Sequence, residues 1–240
     1  MTVRRDELAA RLDEVRARIA DAARASGRDP REVELVVVTK RFPASDADLL
    51  AELGVTHIGE NKDQEAAAKV AELAHRDALT VHFVGQLQSN KAAHVASYAD
   101  VVQSLDRPKL VGALDRAAQR HGRTLDVLVQ VGLDEGGEDA AAGVAGRGGV
   151  APEEAARLSD LVASAEALRL RGVMGVAPRD GDPRPAFARL REVADGIRAD
   201  HSDATWLSAG MSGDLEAAVA EGATHLRVGT AILGTRASLG

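Results

Sequence analysis

The sequence predicts an α/β fold, a (β/α)8 barrel in a single domain spanning residues 1–240. Three observations predict it. Short β-branched runs alternate along the chain with Ala/Leu/Glu/Arg segments whose apolar residues recur at helical spacing. The runs number about eight, and strict alternation of strand and helix means a parallel sheet. Eight such units in 240 residues suit a closed barrel better than an open doubly wound sheet. The open sheet would usually carry a Gly-rich turn after its first strand, and here that turn reads TKRFPAS.

Taken in order, Arg4 to Ala25 reads as a helix with Leu8, Leu12, Val15 and Ile19 on one face, ended by Gly27 and Pro30. Segment 1–27 is therefore expected to pack as an N-terminal helix on the barrel. The first four strands are Glu34–Lys40 (ELVVVTK), His57–Glu60 (HIGE), Val81–Gly85 (VHFVG) and Val101–Asp106 (VVQSLD). Leu125–Leu133 (LDVLVQVGL), Leu170–Ala177 (LRGVMGVA), Thr205–Gly210 (TWLSAG) and His225–Thr230 (HLRVGT) complete the set. The Gly/Ala-rich stretch Asp134–Val150 reads as a flexible loop after strand five, on the face where barrel active sites sit.

Composition narrows the function. With 45% hydrophobic and 28% charged residues the chain has the make-up of a soluble globular protein. No run approaches the roughly 18 apolar residues of a membrane span, and the charged N-terminus lacks a signal-peptide apolar core. A cytoplasmic protein is expected. A net charge of −7 with 2% aromatic residues argues against nucleic-acid partners. The chain has no cysteine, and its seven histidines show no metal spacing, so no metal site is expected.

Residues at the C-terminal ends of barrel strands face the binding site. Here they are Lys40, Glu60 with Asn61, Gln86, Ser104 with Asp106, Ser208, Arg227, and Gly229 with Thr230. So many polar groups suit a small polar or anionic ligand. Lys40 ends a strand of three valines; low-dielectric walls would favour its free amine, which forms Schiff bases with carbonyl compounds, and the alternative is a lysine that merely snorkels out from a strand end. Gly229 and Thr230 offer a turn, backbone N–H groups and a hydroxyl after the last strand, where phosphates often bind in this fold, and Ser208 could add a donor. Ser212 reads as a helix cap, with Asp214 and Glu216 favouring the helix dipole. His82 reads either as a core histidine or as a pocket residue.

Several segments together resemble the pyridoxal phosphate homeostasis protein family. They are VVVTK at 36–40, HIGENKDQEAAAK at 57–69, HFVGQLQSNK at 82–91, QSLD at 103–106, RLRGVMGVAP at 169–178 and WLSAGMSGDLEAAVAEGATHLRVGTAILGTR at 206–236. The resemblance is collinear over nearly the whole chain. It implies a fold-type III TIM barrel like the alanine racemase N-terminal domain, with pyridoxal 5'-phosphate (PLP) as cofactor, held as a Schiff base on Lys40. It further implies Arg227 facing the pyridine nitrogen, Gly229, Thr230 and Ser208 around the phosphate, Met211 and Ser212 beside it, and Asn61 as a cofactor contact. His82 belongs to a family motif and is included among the cofactor-binding residues.

No catalytic residue is assigned. An arginine at the ring nitrogen disfavours its protonation and weakens the ring as an electron sink. Racemases of this fold add a tyrosine base from a second domain or subunit, and here the chain stops ten residues after Thr230. The only tyrosine, Tyr98, precedes strand four and is expected near the other end of the barrel. The expectation is a monomeric PLP carrier in intracellular PLP homeostasis, with PLP-dependent apoenzymes as candidate partners, rather than an enzyme. An amino-acid racemase of the alanine racemase type is the alternative, and a cofactor-free Schiff-base aldolase on a phosphosugar a second.

Overall fold

The structure, a computed structural model, describes residues 2–134 and 148–235, so most of the Asp134–Val150 loop lies outside the described residues. Eight parallel strands close into a barrel in the order β1 to β8, with β8 paired back onto β1. They are β1 Glu34–Val38, β2 His57–Glu60, β3 Thr80–Phe83, β4 Val101–Leu105, β5 Leu125–Val131, β6 Leu168–Gly175, β7 Trp206–Ser208 and β8 His225–Val228. Each falls within two residues of its expected start. Six of the eight end two residues earlier than the sequence suggests.

Helices cover the barrel. After each of the first four strands come α2 Ala44–Glu52, α3 Asp63–Glu72, α4 Ala92–Tyr98 and α5 Pro108–Arg120. α6 Ala155–Ala163, α7 Arg184–Asp200, α8 Leu215–Ala220 and the single turn α9 Thr230–Leu233 follow strands five to eight. The N-terminal helix α1, Thr2–Ala25, buries Leu8, Leu12, Val15 and Ile19 against this layer. Burying each of the four contributes about 1.5–3 kcal/mol. Arg28 donates to the carbonyls of Val219 and Ala223 beyond the end of α1, so the helix is fastened to the α8 side of the barrel.

The two-residue period of each strand sorts its side chains. Ile58, Val81, Phe83, Val102, Leu207, Leu226 and Val228 face outward into the large core shared with the helices. The alternate positions face the barrel interior. There Val101, Leu128 and Met174 form a small apolar cluster with Val176 and Trp206. The remaining interior is unusually polar: His57, His82, Gln103, Ser208, His225 and Arg227 all point inward. No described helix is long and apolar enough to cross a membrane.

Candidate cofactor site

The site forms where β1, β7 and β8 end. Beyond Val38 the chain turns at once, with the Phe42 N–H donating to the Thr39 carbonyl at 3.1 Å. Lys40 occupies this turn. It shares a cavity of about 220 Å3 with Val38, Phe42, Gly229 and Thr230. The low-dielectric walls expected around its amine are absent: Lys40 is exposed, because β1 stops before reaching it. Gly229 lets the β8 turn close against β1, since a β-carbon there would stand 3.0 Å from the Val38 carbonyl oxygen. The Thr230 hydroxyl lies 3.2 Å from that of Ser212, and the Ala231 N–H points at the Ser212 oxygen from 3.4 Å. Two hydroxyls and a backbone donor thus gather beside the lysine, between the ends of strands seven and eight where this fold places phosphates. Arg18 of α1 donates to the Ser212 carbonyl and pairs with Glu216, holding that loop from outside. Met211, at its start, is exposed.

Beneath the mouth lies a chain of buried polar groups. Arg227 is 5% exposed, and it donates to the Ser208 hydroxyl at 2.6 Å and to the Gly175 carbonyl at 2.8 Å. A guanidinium can only donate, and that fixes every later direction. Ser208 accepts, so its own proton goes to Gln103 Oε1 at 2.7 Å. Gln103 Nε2 then donates to His82 Nδ1 at 2.8 Å, which leaves the His82 proton on Nε2. From there it is directed at His57 Nδ1, also at 2.8 Å, and His57 Nε2 faces Glu34 at 3.7 Å on the opposite face of the barrel. β4 and β7 are not neighbours in the sheet, so the Ser208–Gln103 bond crosses the lumen. Burial lowers the pKa of His57, that of His82 well below the ordinary histidine range, and that of His225 to about 3. All three are neutral at pH 7, as the chain of acceptors requires of His57 and His82. Burial also brings Arg227 down to about 10, which leaves it charged.

The chain as a whole is similar to known proteins. Residues 10–237 match the family described as alanine racemase, N-terminal domain. The pyridoxal phosphate homeostasis protein of Mycobacterium tuberculosis (strain ATCC 25618 / H37Rv) is 43% identical over 251 residues, covering 97% of this chain and 94% of that one. The chain belongs to the pyridoxal phosphate homeostasis protein family. Among solved structures, PipY of Synechococcus elongatus PCC7942 with PLP bound is 33% identical with a TM-score of 0.80, covering 95% of this chain and all of that one. Alanine racemase from Streptomyces coelicolor A3(2) shares the fold, with a TM-score of 0.73 at 19% identity; the match covers 97% of this chain but 59% of the racemase.

Several expected site residues of this family member stand elsewhere than the sequence suggests. Ser208 points down into the barrel, and its hydroxyl proton is held by Gln103 rather than offered at the mouth. His82 lies deeper still, fully buried with both ring nitrogens engaged, and connects to Arg227 only through Gln103 and Ser208. Glu60 does not face the mouth at all; strand alternation turns it outward, under α3, where it meets Lys69 and Thr39. Ser212 precedes its helix, whose N-cap position is Asp214. Asn61 lines an adjoining cavity of about 450 Å3 with Lys62, Phe83, Gln86 and Lys91. Tyr98 sits at the far end of the barrel as expected, its carbonyl accepting from Arg76 ahead of β3, while its side chain runs outside the barrel wall and brings the hydroxyl to 3.4 Å from Asp63 at the start of α3. Burial and Asp63 push the phenol's pKa up, so it stays protonated. A further cavity of about 460 Å3 beyond β5 and β6 is lined by Asp134, Asp180, Asp182 and Arg189, and three carboxylates against one guanidinium suit a phosphate poorly.

Gln103 and His57 are residues that position alone did not single out. Their signal was available: a polar side chain two residues after Val101 or two before Gly59 must share the inward face.

Proposed function

We propose that the chain binds PLP at the mouth formed by β1, β7 and β8, as a Schiff base on Lys40, and acts as a cytoplasmic, monomeric carrier that stores the cofactor or passes it to PLP-dependent apoenzymes. One observation carries the reading: Lys40, Gly229 and Thr230 line a single small cavity whose rim adds the Ser212 hydroxyl and the Ala231 N–H. An amine within reach of a set of anion donors fits an aldehyde that carries a phosphate. PLP bound to the PipY relative supports the same assignment.

The residues divide the work. Lys40 supplies the amine; Ser212, Thr230 and the backbone after Gly229 would hold the phosphate; Asn61 and Met211 flank the mouth. Arg227 would present N–H donors to the ring, its orientation fixed by Ser208 and Gly175. When bound, PLP supplies an aldehyde that condenses reversibly with amines and a ring that withdraws electrons. A charged guanidinium keeps a facing ring nitrogen an acceptor, which weakens that withdrawal. The one tyrosine is protonated and turned to Asp63, so it serves poorly as a base. Both features favour holding the cofactor over turning over an amino acid.

The test is the absorbance of purified protein incubated with PLP, wild type beside Lys40→Ala. The wild type is expected to gain a visible band that borohydride abolishes, with the added mass on Lys40; the variant should show neither. A wild type that stays colourless would overturn the assignment. Exchange of an amino-acid α-proton by the loaded protein would favour the racemase reading instead.

A further inference from the structure

Helix α3 grips the backbone on both sides of Lys40. On one side, Lys69 Nζ donates to the Thr39 carbonyl at 2.7 Å. On the other, the Arg41 N–H donates to Glu65 Oε1. The two peptide groups that flank Lys40 are therefore each held by a charged side chain, and the two side chains stand four residues apart on one face of α3. Lys69 is in turn paired with Glu60, which also accepts the Thr39 hydroxyl proton at 2.6 Å. Lys69 is 5% exposed and Glu60 fully buried. Burying such a pair is costly unless its geometry is well satisfied, and an apolar pair would fill the same space.

The turn that α3 grips is a strained one. Among the described residues Arg41 is the only non-glycine with positive φ, at 67°. It sits at the third position of the Thr39–Phe42 turn, where a positive φ favours glycine. A residue with a β-carbon persists in that conformation only when its surroundings hold it there. Glu65 takes the amide of the strained residue itself. The strain, the two flanking bonds and the buried counter-charge all converge on Lys40.

We propose that Glu65 and Lys69 are positioning residues that clamp the Lys40 turn, so that the lysine side chain rises into the cavity with Gly229 and Thr230. The proposal rests on the reading of Lys40 as the cofactor lysine. It assigns neither residue a contact with the cofactor.

The test has two readouts. The first is the rate at which Lys40 is trapped by PLP and borohydride: the amine condenses with the aldehyde, releasing water, and hydride reduces the C=N bond to a stable secondary amine. The second is hydrogen exchange at the Arg41 amide, which needs no cofactor. Glu65→Ala should slow trapping about tenfold or more, as expected when a reacting group is displaced, and should speed exchange at Arg41. Glu65→Gln keeps an acceptor oxygen and should trap close to the wild-type rate. Adding Arg41→Gly to Glu65→Ala should restore trapping, because glycine adopts the turn unaided. Glu65 is only half-buried, so Glu65→Ala is expected to fold even if Lys69→Met does not. Wild-type trapping and unchanged exchange in folded Glu65→Ala would overturn the clamp. A wild type that never traps, while Glu65→Ala still releases the Arg41 amide, would support the clamp and remove the cofactor reading instead.

Discussion

A β-carbon placed on Gly85 would stand 2.0 Å from the carbonyl oxygen of Asn61, and 2.7–2.8 Å from that residue's carbonyl carbon and Cα. The neighbour is backbone, so no rotamer change relieves the contact; one strand end has to move. Gly85→Ala is therefore expected to destabilise the protein by about 1–3 kcal/mol, the usual cost of overpacking. It should also weaken PLP binding by displacing Asn61. Gly196, within α7, is the control: nothing lies within 4 Å of its added β-carbon. There alanine should stabilise by about 0.5–1 kcal/mol through helix propensity. Denaturant unfolding of the two variants checks both signs, and equal effects would mean that the Gly85 contact relaxes freely. At this scale the sequence showed residue identities but not orientations. Lys40, Gly229 and Thr230 could be placed at the mouth because they follow strand ends. Ser208 and Glu60 follow the same rule in number yet face down and out respectively, because a two-residue period reverses direction at every step.

The elements were more legible than the residues they carry. Alternating periods of two and 3.6 located every strand, and the apolar stripe of α1 named the four large side chains it buries. What the periods could not show was that interior positions of β2, β3, β4, β7 and β8 would be joined across the lumen. That depends on strands facing one another in a closed barrel, which no local pattern encodes. The polar chain makes a prediction at this scale. Gln103→Leu, close in volume, would remove the acceptor of the Ser208 proton and the donor to His82 Nδ1 at once. Each group left unpaired in a buried setting costs about 1–3 kcal/mol. The variant should lose about 2–6 kcal/mol of stability. Because Ser208 then no longer holds Arg227 in one orientation, the visible band of the loaded protein should shift as well. Loss of stability without any spectral change would mean that the chain supports the barrel and does not tune the site.

The polar interior also sets how the whole molecule responds to acid. His57, His82 and His225 are all held neutral by burial, and His225 is lowered to about 3 with His57, Arg171 and Arg227 adding to the effect. Glu34 works against it at His57. In the unfolded chain each would titrate near 6.5. Their folded values lie below that, so the unfolded state binds more protons as pH falls, and stability present above about pH 6.5 is lost on acidification. Between pH 7 and pH 5 His225 alone contributes a loss of about 2 kcal/mol. For His225 the figure is insensitive to where below pH 5 its folded value lies, because the unfolded value sets the upper edge of the window. Exposed carboxylates stay ionised in both states above pH 5 and contribute little there. Glu60 has the opposite sign, since burial raises its pKa, so it offsets part of the histidine effect. His225→Gln isolates one histidine from that background. Urea unfolding at half-unit steps from pH 7 to 5 should show wild-type stability falling with pH, and a slope shallower by about 1.2 kcal/mol per unit in the variant below pH 6. The comparison uses slopes, so a uniform loss from removing the Thr224 contact to His225 does not affect it. Identical slopes would mean that His225 is protonated in the folded barrel, and with it the neutral histidine cluster beneath Arg227 would have to be abandoned.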